Sequence, residues 1–258
     1  MFVSTFQDIP FTWLFVLTFI ILLIAFECGM ILGNKYQENV KEADRSSISS
    51  IVAAKLGLLA FLLTFTFGIA ASKYDEKRAL VLEEANAIGT TFLRAGYLPN
   101  LHKTEIRSLL KQYVDVRLNH LNPIDIAKGI ELSQGLQDKL WHQAEAIAEK
   151  TPDSVVAGLF IQSLNDVIDL HTKRLNIGLR IRIPSIIWTS LYFVAVIAFG
   201  TVGYQIGLMR ARYMGIILLL ITTFSLVLVL IADLDRPQAG FIKVSQQPLQ
   251  DLQRQLQK

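Results

Sequence analysis

The sequence predicts an all-α membrane protein in which a helical domain is inserted between the second and third of four transmembrane helices. Of its 258 residues, 52% are hydrophobic and 18% are charged, a balance too apolar for an ordinary soluble domain of this length. The apolar residues are concentrated in four stretches of about 20 residues each, the length that a helix needs to cross a bilayer core. No strand-like alternation of polar and apolar residues accompanies them.

The predicted spans form two hairpins on either side of the inserted domain. This domain occupies residues 73–182, which contain no apolar run of comparable length, and residues 234–258 form a tail. Nothing between Ala70 and Gly89 interrupts a helix, so the second span is predicted to continue into the inserted domain. The spans are predicted at 11–33 and 51–72 in a first hairpin at 1–72, and at 183–207 and 213–232 in a second hairpin at 183–233.

Basic residues beside the spans predict an orientation in the cell inner membrane, because loops rich in Lys and Arg stay in the cytoplasm. Those on the side of the inserted domain are Lys73, Lys77, Arg78, Lys173, Arg174, Arg180, Arg182, Arg236 and Lys243. Those on the other side are Lys35, Lys41, Arg45, Arg210 and Arg212. The excess predicts that the inserted domain and both termini are cytoplasmic. The first span alone favours the opposite orientation, since no basic residue precedes it.

The residue pattern argues against an enzyme and against a nucleic-acid binder. The histidines are scattered without a metal-ligand spacing, at His102, His120, His142 and His171. No glycine-rich phosphate loop or Gly-x-Ser-x-Gly nucleophile elbow is present in the sequence. The net charge of +3 is small for a protein that binds a polyanion. We therefore expect no catalytic site, cofactor, metal site or nucleic-acid partner.

Two charged residues fall inside predicted spans. Glu27 lies near the end of the first span and Lys55 near the start of the second, so both lie roughly 6–9 Å below the same membrane surface. An unpaired charge in hydrocarbon is costly, which predicts that the two form an ion pair across the hairpin. Two alternatives remain open for Lys55: its ammonium group reaches the interface, or it lies at a pore mouth and concentrates anions there.

The second span carries an aromatic and aliphatic stripe. Phe61, Phe65 and Ile69 recur every four residues and so lie above one another on the helix. One such set from each subunit would form a hydrophobic constriction, the neck of a pore. The alternative is ordinary packing, which is the more common role of a stripe at this spacing. Neighbouring apolar residues that could replace the predicted set are Leu58, Leu62 and Phe67.

Two glycine pairs predict close contact between helix backbones in the membrane. Gly29 and Gly33 in the first span, and Gly203 and Gly207 in the third, have the Gly-x-x-x-Gly spacing. Such contacts occur within one chain or between subunits.

Polar residues also cluster where the spans meet the inserted domain and the tail. A stripe on the helix after the second span consists of Asn86, Thr90, Thr91 and Arg94, and a charged group at the end of the fourth span consists of Asp233, Asp235 and Arg236. Acidic residues at a helix C-terminus oppose the helix dipole. This predicts a compensating cation from the helices of the inserted domain, Arg78 or Arg94.

Two longer segments are more specific than any of these features. They are RALVLEEANAIGTTFLRA at 78–95 and LIADLDRPQAGFIKVSQQPL at 230–249, and together they resemble the bestrophin-like family of bacterial membrane proteins. The resemblance implies a family signature at Glu84, Asn86, Thr90, Arg94, Asp233, Asp235, Arg236 and Pro237. It also implies a pentameric ion channel with the second span around the axis.

The leading functional hypothesis is a homo-oligomeric channel for small inorganic ions. An oligomer is needed because the four membrane helices of one chain are too few to enclose a water-filled path. The path would pass Lys55, cross the apolar neck and enter a vestibule built from the inserted domain. The alternative is a non-conducting scaffold or sensor whose helical domain binds a cytoplasmic partner. In both cases the expected surroundings are the lipid bilayer, and for the channel also further copies of the chain and small ions.

Overall fold

The computed structural model describes residues 10–40, 42–120, 125–209, 214–236 and 240–257, and within these ranges the chain is helical without a strand. The all-α prediction is thereby confirmed. The helices are α1 (Phe11–Tyr36), α2 (Glu42–Ala95), α3 (Asn100–Asn119), α4 (Ile126–Lys150), α5 (Val155–Leu175), α6 (Ser185–Met209), α7 (Met214–Asp235) and α8 (Gln247–Gln257). A short 3₁₀ turn at Gln37–Asn39 follows α1, and a π-helical turn at Asn176–Arg180 follows α5.

Four helices, α1, α2, α6 and α7, are long and apolar enough to cross a membrane, as the sequence predicts. The prediction that the second span continues as one helix past residue 72 is also confirmed, because α2 runs for 54 residues without interruption. The chain divides into two compact units. Unit 1 comprises Met1–Ser72 with Arg182–Arg236, and unit 2 comprises Lys73–Ile181 with Pro237–Lys258.

Unit 1 is organised around close packing of α1 against α6. Gly29, Gly33, Gly203 and Gly207 are all buried where the two helices meet. A Cβ atom on Gly203 would lie 1.9 Å from the carbonyl oxygen of Phe26, and one on Gly33 would lie 2.2 Å from that of Tyr204. Only glycine allows backbones to approach so closely, so the predicted glycine pairs are a contact within one chain.

Unit 2 has its own apolar core, formed by one face of each helix. The buried side chains include Ile106, Leu110, Leu136, Leu140, Phe160, Leu164, Leu249 and Leu252. Helix α8 shows why the sequence folds this way, because its buried leucines recur after three and four residues at 249, 252 and 256, while glutamines occupy much of the opposite face. Helix α5 begins after Ser154, whose hydroxyl oxygen accepts a hydrogen bond from the Ala157 amide at 3.3 Å.

Candidate functional site

Within unit 1, α2 buries one face and exposes the opposite one. The buried side chains recur at helical spacing and are Val52, Leu59, Leu63, Thr66 and Ala70. Because a helix turns by about 100° per residue, Phe61 and Phe65 lie on the opposite side. Their side chains are 66% and 64% exposed in the protomer. The structure therefore leaves a pair of large aromatic side chains mostly exposed in the protomer, on the face that the sequence selects.

The third residue of the predicted neck differs from the other two. Ile69 is only half-buried and lies toward the flank of the exposed face, whereas Leu58, an alternative candidate, is 52% exposed. Small residues leave the rest of the face open, since no atom lies within 4 Å of a Cβ built on Gly57 or Gly68. The exposed face of α2 is thus an apolar strip around Phe61 and Phe65.

The two charges inside the spans are not joined to each other. Glu27 and Lys55 are both half-buried, and among the residues that the structure describes no ion pair connects them. The interfacial or pore-mouth position of Lys55 remains a prediction.

A buried polar cluster lies inside unit 2. Glu84 on α2 is completely buried. One carboxylate oxygen, Oε1, accepts hydrogen bonds from Arg117 Nε at 3.0 Å and from the Tyr113 hydroxyl at 3.3 Å. The other, Oε2, accepts from Arg174 Nη1. One carboxylate from α2 is thereby held between two arginines, one from α3 and one from α5.

Neutral side chains extend this cluster to further elements. The Tyr113 hydroxyl accepts from Gln137 Nε2 on α4 at 3.2 Å and lies 3.1 Å from His171 Nδ1 on α5. Arg174 Nη2 donates to Gln246 Oε1, just before α8, at 3.2 Å. We call Glu84, Tyr113, Gln137, Arg117, His171, Arg174 and Gln246 the Glu84 cluster. It connects four helices of unit 2 and the segment leading into α8.

The electrostatics of the Glu84 cluster fix the charge of its members. Burial by itself would raise the pKa of Glu84, but the charges of Arg174 and Arg117 outweigh it and the pKa falls below its usual value. Burial, aided by the charge of Arg117, lowers the pKa of His171 to about 4. At neutral pH the cluster therefore holds an ionised carboxylate, two guanidinium groups and a neutral imidazole.

Asp235, at the end of α7, contacts the segment that leads into α6. Asp235 Oδ1 accepts a hydrogen bond from the Ile183 amide at 3.0 Å, and the Asp235 carbonyl oxygen accepts from Arg182 Nη1 at 2.9 Å. Arg94, one of the two predicted cations, instead donates to the Leu159 carbonyl at 2.7 Å. The cation beside Asp235 is thus Arg182, from the segment that leads into α6, and the pairing with Arg78 or Arg94 stays a prediction.

The remaining signature residues lie in several environments. Asp233 is buried and Arg236 half-buried, while Pro237 lies outside the described residues. Asn86 and Thr90 are exposed and line a groove of about 950 Å³ between α2 and the start of α8, where Leu82 and Leu93 are also exposed. Thr91, another residue of the predicted polar stripe, is buried, and its hydroxyl donates to the Ser163 carbonyl at 2.9 Å. The stripe is therefore partly exposed and partly buried.

Sequence reasoning found Glu84 and missed the rest of its cluster. The signal that could have found it is local spacing, since Tyr113 and Arg117 are four residues apart, and His171 and Arg174 three, so each pair shares a helix face. No group of three or more His, Cys, Asp or Glu side chains in the described part of the chain is arranged to hold a metal ion.

The fold and its clusters define a helical membrane protein with four spans, in which the second span continues into an inserted helical domain. The family described as the Bestrophin-like domain matches residues 11–249, and the chain belongs to this family. The predicted resemblance and the bestrophin-like fold are confirmed. Comparison with curated protein sequences gives no significant match.

Solved structures of bacterial proteins are similar in fold. A bacterial bestrophin homologue from Klebsiella pneumoniae aligns with a TM-score of 0.65 at 16% identity, covering 95% of this chain and 96% of that chain. Two mutants of the Klebsiella pneumoniae homologue give TM-scores of 0.64 at 16% and 15% identity, with 95% of this chain and 97% of each mutant chain covered. At an identity this low, the structural similarity supports a shared fold only, and the function has to be argued from the residues.

Proposed function

We propose that the protein is a homo-oligomeric, pentameric channel for small inorganic ions in the cell inner membrane. The observation that supports it most directly is the exposed face of α2, where the side chains of Phe61 and Phe65 are about two-thirds exposed in the protomer. Membership of the bestrophin-like family agrees with a channel. Five copies of α2 with this face toward a common axis would enclose a path that one protomer cannot enclose.

The neck of the proposed pore is formed by Phe61 and Phe65, with Ile69 at its edge. A ring of apolar side chains controls conduction through its hydration, because a narrow apolar passage loses its water and then blocks ions. Lys55 lies at the pore mouth on one side. On the other side, residues 73–182 form a cytoplasmic vestibule, with both termini in the cytoplasm.

The test is the current carried by purified protein in planar bilayers under asymmetric KCl, for the wild type and two variants. Phe65→Ala shortens a side chain on the exposed face. Phe67→Ala makes the same chemical change two residues away, about 160° around the helix, where the side chain is 39% exposed. It is therefore the matched control for the loss of an aromatic ring from α2.

The channel predicts discrete current steps in the wild type, a larger conductance in Phe65→Ala and little change in Phe67→Ala. The reversal potential then identifies the preferred ion. A conductance that is the same in Phe65→Ala as in the wild type, with both proteins assembled, would remove Phe65 from the pore. Absence of current from all three folded proteins would contradict the channel itself.

The groove of unit 2 favours a second candidate function, a non-conducting scaffold or sensor that binds a partner protein. Its lining combines exposed leucines, Leu82 and Leu93, with amide and hydroxyl groups, which is a composition suited to a helix of a partner. In this case the exposed face of α2 packs against other helices. Absence of current in the wild type together with weakened assembly of Phe65→Ala would favour the scaffold over the channel.

A further inference from the structure

We propose that His171 makes unit 2 acid-sensitive, because protonation of its buried imidazole releases α5 from α2 and α3. The inference concerns the Glu84 cluster alone and does not depend on whether the protein conducts ions. It starts from the hydrogen bonds of the imidazole. His171 is 98% buried, Nδ1 lies 3.1 Å from the Tyr113 hydroxyl, and Nε2 is buried without a hydrogen-bond partner among the residues that the structure describes.

The Tyr113 hydroxyl has one proton and two neighbouring acceptors, Glu84 Oε1 at 3.3 Å and His171 Nδ1 at 3.1 Å. If the Tyr113 hydroxyl donates its hydrogen bond to the carboxylate, Nδ1 carries the imidazole proton and Nε2 has an unprotonated lone pair. If the proton goes to Nδ1, Nε2 is a buried N–H without an acceptor. In both tautomers Nε2 has no hydrogen bond, and only the first keeps the stronger bond from Tyr113 to the charged carboxylate.

Protonation of His171 would add a second N–H and a positive charge to this environment. The charged groups that face the imidazole are Glu84 from α2, Arg117 from α3 and Arg174 from its own helix, which sum to one positive charge. The side chains contributed from α4 and from the segment leading into α8 are the uncharged amides of Gln137 and Gln246. A protonated His171 therefore raises the buried charge from one to two without supplying a new carboxylate.

The sign of the pH effect follows from these contacts. Burial lowers the pKa of folded His171 to about 4, below the ordinary value of 6.5. The contribution of the neutral imidazole to stability is therefore complete above about pH 6.5 and is lost as the pH falls toward 4. Glu84 acts in the same direction at lower pH, because its folded pKa is also lowered.

The helix that should respond is α5, since His171 and Arg174 both belong to it and both contact the cluster. An opening that exposes His171 to water returns its pKa to the ordinary range, so acid favours the open state. With the pKa values above, the opening constant rises by about twentyfold between pH 7 and pH 5. Two further hydrogen bonds to α5, from the Thr91 hydroxyl and the Arg94 guanidinium, go to backbone carbonyls and do not involve the imidazole.

Hydrogen exchange of the full-length protein at pH 7 and pH 5 tests the proposal, after correction for the intrinsic exchange rates. In the wild type, the protection of α5 amides should fall by about twentyfold, and that of α1 and α6 should change much less. In His171→Asn, whose amide nitrogen occupies the place of Nδ1, the fall should disappear. His142→Gln changes an exposed histidine on α4 and should behave as the wild type.

His171→Phe replaces the imidazole with an aromatic ring that has no nitrogen, so it replaces His171→Asn if that variant does not fold. The measured quantity is the change in α5 protection between pH 7 and pH 5, which a loss of stability that is equal at both pH values does not produce. A twentyfold fall that persists in the folded His171 variant would overturn the proposal. So would unchanged protection of α5 at pH 5 in the wild type, or loss of the fall in His142→Gln.

Discussion

Replacing Gly203 by alanine should separate α6 from α1. The added Cβ would lie 1.9 Å from the carbonyl oxygen of Phe26, 2.8 Å from its carbonyl carbon and 2.9 Å from the Met30 nitrogen. All three atoms belong to the backbone, so no side chain can rotate away. An ordinary contact requires the two helices to move apart by roughly 1.5 Å at this point, which removes van der Waals contacts on both sides.

The expected loss is about 3 kcal/mol, at the upper end of the usual range for overpacking a well-packed interior. For a chain of this length it corresponds to a decrease in Tm of roughly 6–12 °C. Thermal unfolding of the detergent-solubilised protein measures it. Gly215→Ala is the matched control, because Gly215 also lies in a membrane helix and a Cβ there meets no atom within 4 Å. Equal Tm values for the two variants would refute the close packing of α1 and α6.

Three further predictions concern single hydrogen bonds and charges. Glu84→Gln leaves two buried guanidinium groups without a carboxylate and should cost about 3–5 kcal/mol in the free energy of unfolding. Arg174→Met in the same chain should restore part of this loss. A double variant whose loss equals the sum of the two single losses would contradict the pairing of Glu84 with Arg174. Asp235→Ala should lower the free energy of unfolding by about 1–3 kcal/mol more than Asp235→Asn, because only asparagine keeps an oxygen that accepts the hydrogen bond from the Ile183 amide. Equal free energies of unfolding for the two variants would argue against that hydrogen bond. Thr91→Val should cost about 1 kcal/mol in denaturant unfolding, while the exposed Thr90→Val should cost almost nothing; the reverse order would show that the polar stripe is oriented differently.

The sequence predicted the parts of the fold that depend on local composition. Four apolar stretches of membrane-spanning length, a second span without a helix-breaking residue, and two glycine pairs are each visible in a short window of residues. The structure adds what the glycine spacing could not decide. The pairs Gly29 with Gly33 and Gly203 with Gly207 meet each other inside one chain, where backbone atoms of the facing helix occupy the space of a side chain.

The polar clusters were harder to predict because their members are far apart in the chain. Glu84 contacts Arg117 and Arg174, which are 33 and 90 residues away, so nothing local identifies the pairing. The cation near Asp235 was assigned to a helix of the inserted domain, whereas Arg182 precedes the third span in a segment without regular structure. Periodicity placed Phe61, Phe65 and Ile69 on one stripe, but only exposure in the folded chain separates the first two from the third.

The most direct test of the proposed pore uses the single cysteine of the sequence, Cys28. In a Cys28→Ser background, Phe65→Cys and Phe67→Cys are compared for block of the bilayer current by a charged, water-soluble thiol reagent. If α2 lines the ion path with its exposed face, the reagent should change the current of Phe65→Cys and leave that of Phe67→Cys nearly unchanged. Block of Phe67→Cys alone, or an unchanged current after confirmed labelling of Phe65→Cys, would contradict the proposed pore.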